Sequence, residues 1–248
     1  MKNNQIVSSL ENWYCENIYP VCPKLSKCQE NCQSFSKKPK MCYIGKEYGN
    51  SSEIPNLVLV SLDSGSQDEI NPLYTINQIR NNVEERAPQI FEKNKHWYQT
   101  FDLAKIILSP FIIDSIKNSE FLVNPYIVHT NSAKCTQNKS GNAIADDRLF
   151  DNCREYVITE LELLKPKIVI TQGSKADIVL NHFKEIDRIE FKLNNKQLLI
   201  IIRVINNVKV VHIHTYHPSY YRGYWAQKEI IVNNVEVIAK LIKEVSIT

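Results

Sequence analysis

The chain has no apolar run long enough to cross a bilayer. The longest, Leu198–Ile202, falls far short of the roughly 20 residues a spanning helix needs. Nor is charge of one sign in large excess: 30 Lys and Arg against 27 Asp and Glu leave +3. A polyanionic partner is neither demanded nor excluded by that balance, and would need the basic residues gathered on one face. Met1–Gln5 opens a polar segment without an apolar leader pattern, so a cytoplasmic location away from membranes is expected. There is no internal repeat and no low-complexity linker. What is present, 248 residues with 43% hydrophobic and 23% charged, suits a globular protein able to bury one large core.

Seven cysteines stand out against this ordinary background, and five of them (Cys15, Cys22, Cys28, Cys32 and Cys42) crowd the first 42 residues. Thiols stay reduced in the cytoplasm, so clustered cysteines there point to metal ligation rather than disulfides. Taken singly, each has the alternative of being a small buried hydrophobe. Residues 1 to about 50 have little apolar periodicity and need something other than a core to order them. A metal centre would do that.

From residue 56 onward the pattern alternates strand and helix. Asn56–Ser61, Pro125–Thr130 and Lys167–Thr171 read as short buried strands. His96–Leu108 and Arg148–Leu164 have helical apolar spacing, the second stopped by Pro166. Gln197–Val204 and Val208–His214 form a hairpin around Asn206-Asn207, which tolerate positive φ. Gln227–Lys243 reads as a closing helix. The alternation predicts a three-layer α/β/α sandwich around a mainly parallel sheet, one domain over residues 1–248. Ligands of such sheets sit beyond the carboxyl ends of the strands. Asp63, Asn131 and His217 each follow a predicted strand and can therefore face one crevice.

Three motifs carry a resemblance. Thr130-Asn131-Ser132-Ala133-Lys134-Cys135, then Cys153 with Leu164-Lys165-Pro166-Lys167 and Gly173, then His217-Pro218-Ser219, resemble in order the signatures of the uracil-DNA glycosylase superfamily, in particular its iron–sulfur branch. The first motif departs. Ser61-Leu62-Asp63-Ser64-Gly65 stands where that branch has Gly-Glu-x-Pro-Gly, and Asp63 falls where the uracil-specific enzymes carry a water-activating Asp.

The resemblance implies a fold, a partner and a chemistry. The partner is DNA, engaged by a monomer. Asp63 would stabilise the positive sugar and orient water, as carboxylates do in glycoside hydrolysis; its alternative is a turn Asp before Ser-Gly. His217 would hydrogen-bond the base oxygen as it gains charge. Asn131, one donor and one acceptor in a plane, would read the edge of a flipped pyrimidine. Tyr74 is the stacking candidate, and Leu62 and Gly65 would line the C5 side. With glycine where the uracil enzymes have a bulky wall, a C5-modified base such as glucosylated hydroxymethylcytosine is expected to fit beside uracil. Glycosylases of this wider superfamily act against phage DNA. Ser219, Tyr220, Tyr221 and Arg222 are candidate DNA contacts, whereas Tyr224 and Trp225 suit either DNA or the core. Cys28, Cys32, Cys135 and Cys153 would hold a 4Fe–4S cluster, with Cys22 and Cys42 as substitutes upstream and zinc as the rival metal. A non-catalytic nucleic-acid binding module on the same fold is the second reading of the chain.

Overall fold

The computed structural model describes residues 2–29, 39–62, 75–85, 96–112, 122–135 and 145–247. Seven strands form one sheet in the order β1-β3-β2-β4-β7-β6-β5. They are β1 (Tyr43–Ile44), β2 (Leu57–Ser61), β3 (Ile127–Asn131), β4 (Ile168–Gln172), β5 (Lys184–Leu193), β6 (Lys196–Ile205) and β7 (Val208–Thr215). The four central strands, β3, β2, β4 and β7, run parallel. The flanks are antiparallel: β1 on β3 at one side, and the β7–β6–β5 meander at the other.

The helices are α1 (Asn3–Asn17), α2 (Leu25–Gln29), α3 (Ile76–Glu85), α4 (His96–Leu108), α5 (Asp147–Leu164), α6 (Ser174–Leu180), α7 (Tyr221–Asn233) and α8 (Val235–Ile247). Strand alternation divides the core in two. Leu57, Leu59, Ile168, Ile170, Val211 and Ile213 pack with α4, α7 and α8. Val58, Val60, Val128, Val169 and Val210 pack with α1, α5 and α6 on the opposite face. This is the expected α/β/α sandwich, parallel in its centre and antiparallel at its edges.

Three segments differ from the sequence reading. The first 17 residues are not short of a core face: α1 buries Ile6, Val7, Leu10 and Tyr14. The spacing is helical, but Ser8, Ser9, Glu11 and Asn12 dilute it. β5 is a strand that sequence reasoning missed, because Glu185, Asp187, Arg188, Glu190 and Lys192 mask the half-buried Ile189, Phe191 and Leu193. Charge of that kind suits an edge strand. The closing helix is two helices, broken at Asn234, whose side chain donates to Ile230 O. The short α2 and β1 and the helix α3 were also not read from the sequence, whereas the other strands and the helices α4 and α5 begin and end within a residue or two of the reading. The hairpin turn has Asn206 and Asn207 at φ 48° and 62°, and α5 ends on a left-handed Lys165, before a proline that cannot continue the helix.

Candidate active site

The carboxyl ends of the four parallel strands carry a row of polar side chains. Ser61 is paired in register with Asn131, and Gln172 with Thr215; Ser61 Oγ donates to Gln172 Oε1 at 3.0 Å, which joins the halves. The four residues continue the alternation of the face toward α4. One step deeper on β3, His129 Nε2 lies 2.8 Å from Ser61 Oγ. From α4, Thr100 Oγ1 reaches Gln172 Oε1 at 2.9 Å, and Trp97 sets its ring edge-on to His129 with centroids 4.5 Å apart.

The network is almost sealed: Ser61, Thr100, His129 and Gln172 are all buried. Burial, helped by the Lys134 ammonium and by the nearness of His217, lowers the His129 pKa to about 4. Asn131 is half-buried, and no hydrogen bond ties its amide down among the described residues. Gln172 Nε2 is buried without a partner; the other such described atom, Asn124 Oδ1, sits at the amino end of the sheet.

Asn131 is held from behind. On the opposite face Thr130 Oγ1 donates to Glu160 Oε2 at 2.8 Å, and Lys134 Nζ pairs with the same carboxylate and donates to Thr130. Tyr14 closes the other carboxylate oxygen. Ser132 binds the β2 exit through Ser61 O at 3.0 Å. The spacing Thr-Asn-x-x-Lys-Cys thus has a physical reason: Thr130 and Lys134 anchor to α5, Asn131 faces the other way, and Cys135 is delivered beside α5. Glu160 was missed, although its signal is legible as a lone acid within the apolar stripe Cys153, Tyr156, Val157, Leu161 and Leu164. Burial pushes its carboxyl well above the usual range.

Past β7 the chain turns through His217-Pro218-Ser219 into α7. The Ser219 N–H donates to His217 Nδ1 at 3.2 Å, and Ser219 Oγ lies 2.7 Å from the same nitrogen. With Nδ1 accepting, the proton of a neutral imidazole is on Nε2. Burial and the His96 ring, 5.3 Å away between centroids, lower the His217 pKa to about 4. At neutral pH this side chain is therefore an uncharged donor.

The other expected site residues divide into three groups. Asp63, Gly65, Tyr74 and Cys32 lie outside the described residues. Leu62 packs toward Gly173, where an added Cβ would come within 3.0 Å of Leu62 Cδ2, and against the small cluster that contains Cys28 and Cys135. Gly173 is also the place where the backbone needs a φ of +93°. Tyr220, Tyr221 and Arg222 are exposed at the start of α7. Tyr216 and Trp225 join this aromatic patch, and Lys228 lies 4.4 Å over the Trp225 ring. Tyr224 is core: 1% exposed, it donates to Gln99 O at 2.6 Å.

The cysteines gather separately. Cys22, Cys28, Cys135 and Cys153 line one cavity between the α2 segment and α5. Asn152 Nδ2 donates to Cys28 Sγ at 3.2 Å and the Lys134 N–H to Cys153 Sγ at 3.3 Å. Burial and the neighbouring thiols raise two of these groups, Cys153 to about 11 and Cys135 further. Among the described residues no three ligating side chains converge on a single ion. Cys42 belongs to the core cluster of α1 and α5.

The strand ends thus carry a half-buried amide past β3 and a neutral imidazole past β7, groups able to hydrogen-bond a planar ligand. The family model described as Uracil DNA glycosylase superfamily matches residues 86–244, more than half of the chain. The protein belongs to the uracil DNA glycosylase superfamily, whose members hydrolyse N-glycosidic bonds in DNA. No curated protein matches the chain, and among the described residues no helix is long and apolar enough to cross a membrane.

Proposed function

We propose that the chain hydrolyses the N-glycosidic bond of a pyrimidine flipped out of DNA, either uracil or a C5-modified base such as glucosylated hydroxymethylcytosine. The observation that carries this reading is that two groups stand just past the carboxyl ends of parallel strands: an Asn131 amide with no hydrogen-bond partner among the described residues, and a His217 fixed as an Nε2–H donor. As the C1′–N1 bond breaks, its electron pair passes to the base. His217 donates to the base oxygen that gains charge, and its depressed pKa keeps it a neutral donor whose proton need not leave. Asp63, two residues past Ser61, is the carboxylate that stabilises the sugar cation and takes the proton of the attacking water. Asn131 reads the base edge, Tyr74 stacks on it, and Gly65 leaves room at C5. Tyr220, Tyr221 and Arg222 meet the strand.

The donor set of the cysteine cavity fits an iron–sulfur cluster. Four thiols surround one space, and two N–H groups already point at sulfurs, as suits thiolates carrying charge. Cys22, Cys28, Cys135 and Cys153 would hold it; a single zinc ion would need all four sulfurs at one point. Bound there, the cluster supplies a structural tie between the N-terminal segment and α5, not a step in base release. Iron and sulfide content of Cys22→Ser and Cys42→Ser tests the assignment. Loss of iron is expected only from the first.

The deciding experiment is incubation with DNAs carrying uracil, hydroxymethylcytosine or its glucoside, with mass spectrometry of freed bases. Release abolished in Asp63→Asn while DNA binding persists supports the glycosylase. A wild type that binds DNA and releases nothing would make the chain a binding module. The base released also separates repair (uracil) from anti-phage defence (the glucoside).

A further inference from the structure

Among the described residues, Gln172 is the one polar side chain of the strand-end row whose hydrogen bonding is incomplete and sealed from water. Its Oε1 accepts from Ser61 Oγ at 3.0 Å and faces Thr100 Oγ1 at 2.9 Å, while Nε2 has no hydrogen-bond partner among the described residues. Turning the amide over does not help. Both hydroxyls would then face Nε2, and the oxygen would be the orphan. A buried amide group left unpaired is destabilising, so an unpaired one beside a binding site calls for a ligand.

The neighbouring groups fix which end is free. His129, held neutral by burial, donates from Nε2 to Ser61 Oγ, and Ser61 spends its single proton on Gln172 Oε1. The network therefore runs one way, from His129 through Ser61 into Gln172, and leaves an N–H pair at its end. In the sheet order β3-β2-β4, Asn131 and Gln172 stand on either side of Ser61. Two strand spacings separate them by roughly 10 Å. A pyrimidine with a hydrogen bond at each of two opposite edges spans about that distance.

We propose that Gln172 is a specificity residue of the base pocket. Asn131 reads one edge, and Gln172 Nε2 donates to an oxygen on a substituent at the other, so the substrate class is a pyrimidine bearing an oxygen-containing C5 group. This rests on the glycosylase reading above for the location of the base, but its readout does not need turnover.

The test compares DNAs whose bases share a pairing edge and differ only at C5: 5-hydroxymethyluracil against uracil, and 5-hydroxymethylcytosine against cytosine. Single-turnover base release and binding of the uncleavable 2′-fluoro-arabino analogues are both measured. In the wild type the hydroxymethyl base is favoured in binding, release or both. In Gln172→Met the ratio of hydroxymethyl to plain base falls by about tenfold or more, because a pocket built to pair an oxygen loses its discrimination with the donor. Ser61→Ala, which removes the anchor and not the amide, lowers the same ratio less, and serves as the test should Gln172→Met not fold. Absence of a wild-type preference in either readout overturns the proposal, as does a ratio within about twofold of wild type in the folded variants. A wild type that prefers hydroxymethyl DNA in binding yet releases no base sinks the glycosylase reading alone.

Discussion

Two polar clusters lie back to back at the carboxyl edge of the sheet, one on each face, and they are built differently. Toward α5, Thr130, Lys134, Glu160 and Tyr14 close on one another, with the carboxylate taking donors at both oxygens. Toward α4, Ser61, His129, Thr100 and Gln172 form a chain that ends in an unpaired amide, next to an Asn131 held by no hydrogen bond of its own side chain among the described residues. A third cluster shows what an inert one looks like. His212 accepts from Arg203 at Nδ1 and meets Thr171 and Asp177 at Nε2, so both ring nitrogens are used. The contrast separates groups that satisfy one another from groups that keep hydrogen-bonding capacity open among the described residues.

Breaking the closed side is expected to have the largest effect. Glu160→Leu strands the buried Lys134 ammonium and should destabilise the fold by about 3–5 kcal/mol in denaturant titration. Adding Lys134→Met should recover most of the loss, because a pair replaced by apolar groups is often close to neutral. On the open side, His217→Ala should slow base release roughly 10²–10³-fold with DNA binding kept, the usual effect of deleting one donor to a developing oxyanion. Since His217 stays neutral until about pH 4, its protonation should not bend the single-turnover rate between about pH 8 and about pH 6.

The buried neutral His129 makes the open side acid-labile. Its pKa falls from 6.5 to about 4 on folding, so between those values the unfolded chain binds more protons than the folded one. Stability therefore rises with pH across that window and is lost as pH falls through it, by about 3 kcal/mol for this one group. His129→Phe should reduce the slope of that part of the stability–pH curve, to which the similarly depressed His217 also contributes. The smallest effect is expected at Gln172. Gln172→Met removes two hydrogen bonds and one unpaired buried nitrogen together, and the folding stability should change by about 1 kcal/mol or less. A loss as large as that at Glu160 would erase the distinction between the two clusters.

The elements best read from the sequence are those whose pattern is local. His96–Leu108 was bounded to the residue, and α5 within one, because apolar spacing and the Pro166 stop are written within a single helix. β5 was missed because a half-buried edge strand can carry charge on most of its residues. α1 was missed because only one narrow stripe of it is buried. In the site, Asn131 and His217 were legible from motif and position. Ser61, Gln172 and His129 were not, since nothing in a Ser, a Gln or a His inside a short apolar strand distinguishes it from a neighbour on the opposite face. Cys22 was only a substitute in the sequence reading, yet it lines the cavity with Cys28, Cys135 and Cys153.

By itself the sequence determined the layer architecture and set Asn131 and His217 just past the ends of two strands. These follow from periodicity, turn chemistry and short motifs, all of which act over a few residues. Only the tertiary structure decided which strand ends stand side by side, that Glu160 anchors the Thr130–Lys134 turn, and that Gln172 is left with a free amide. Such facts depend on register between strands far apart in the chain and on whether a buried group finds its partner, and both are settled by packing.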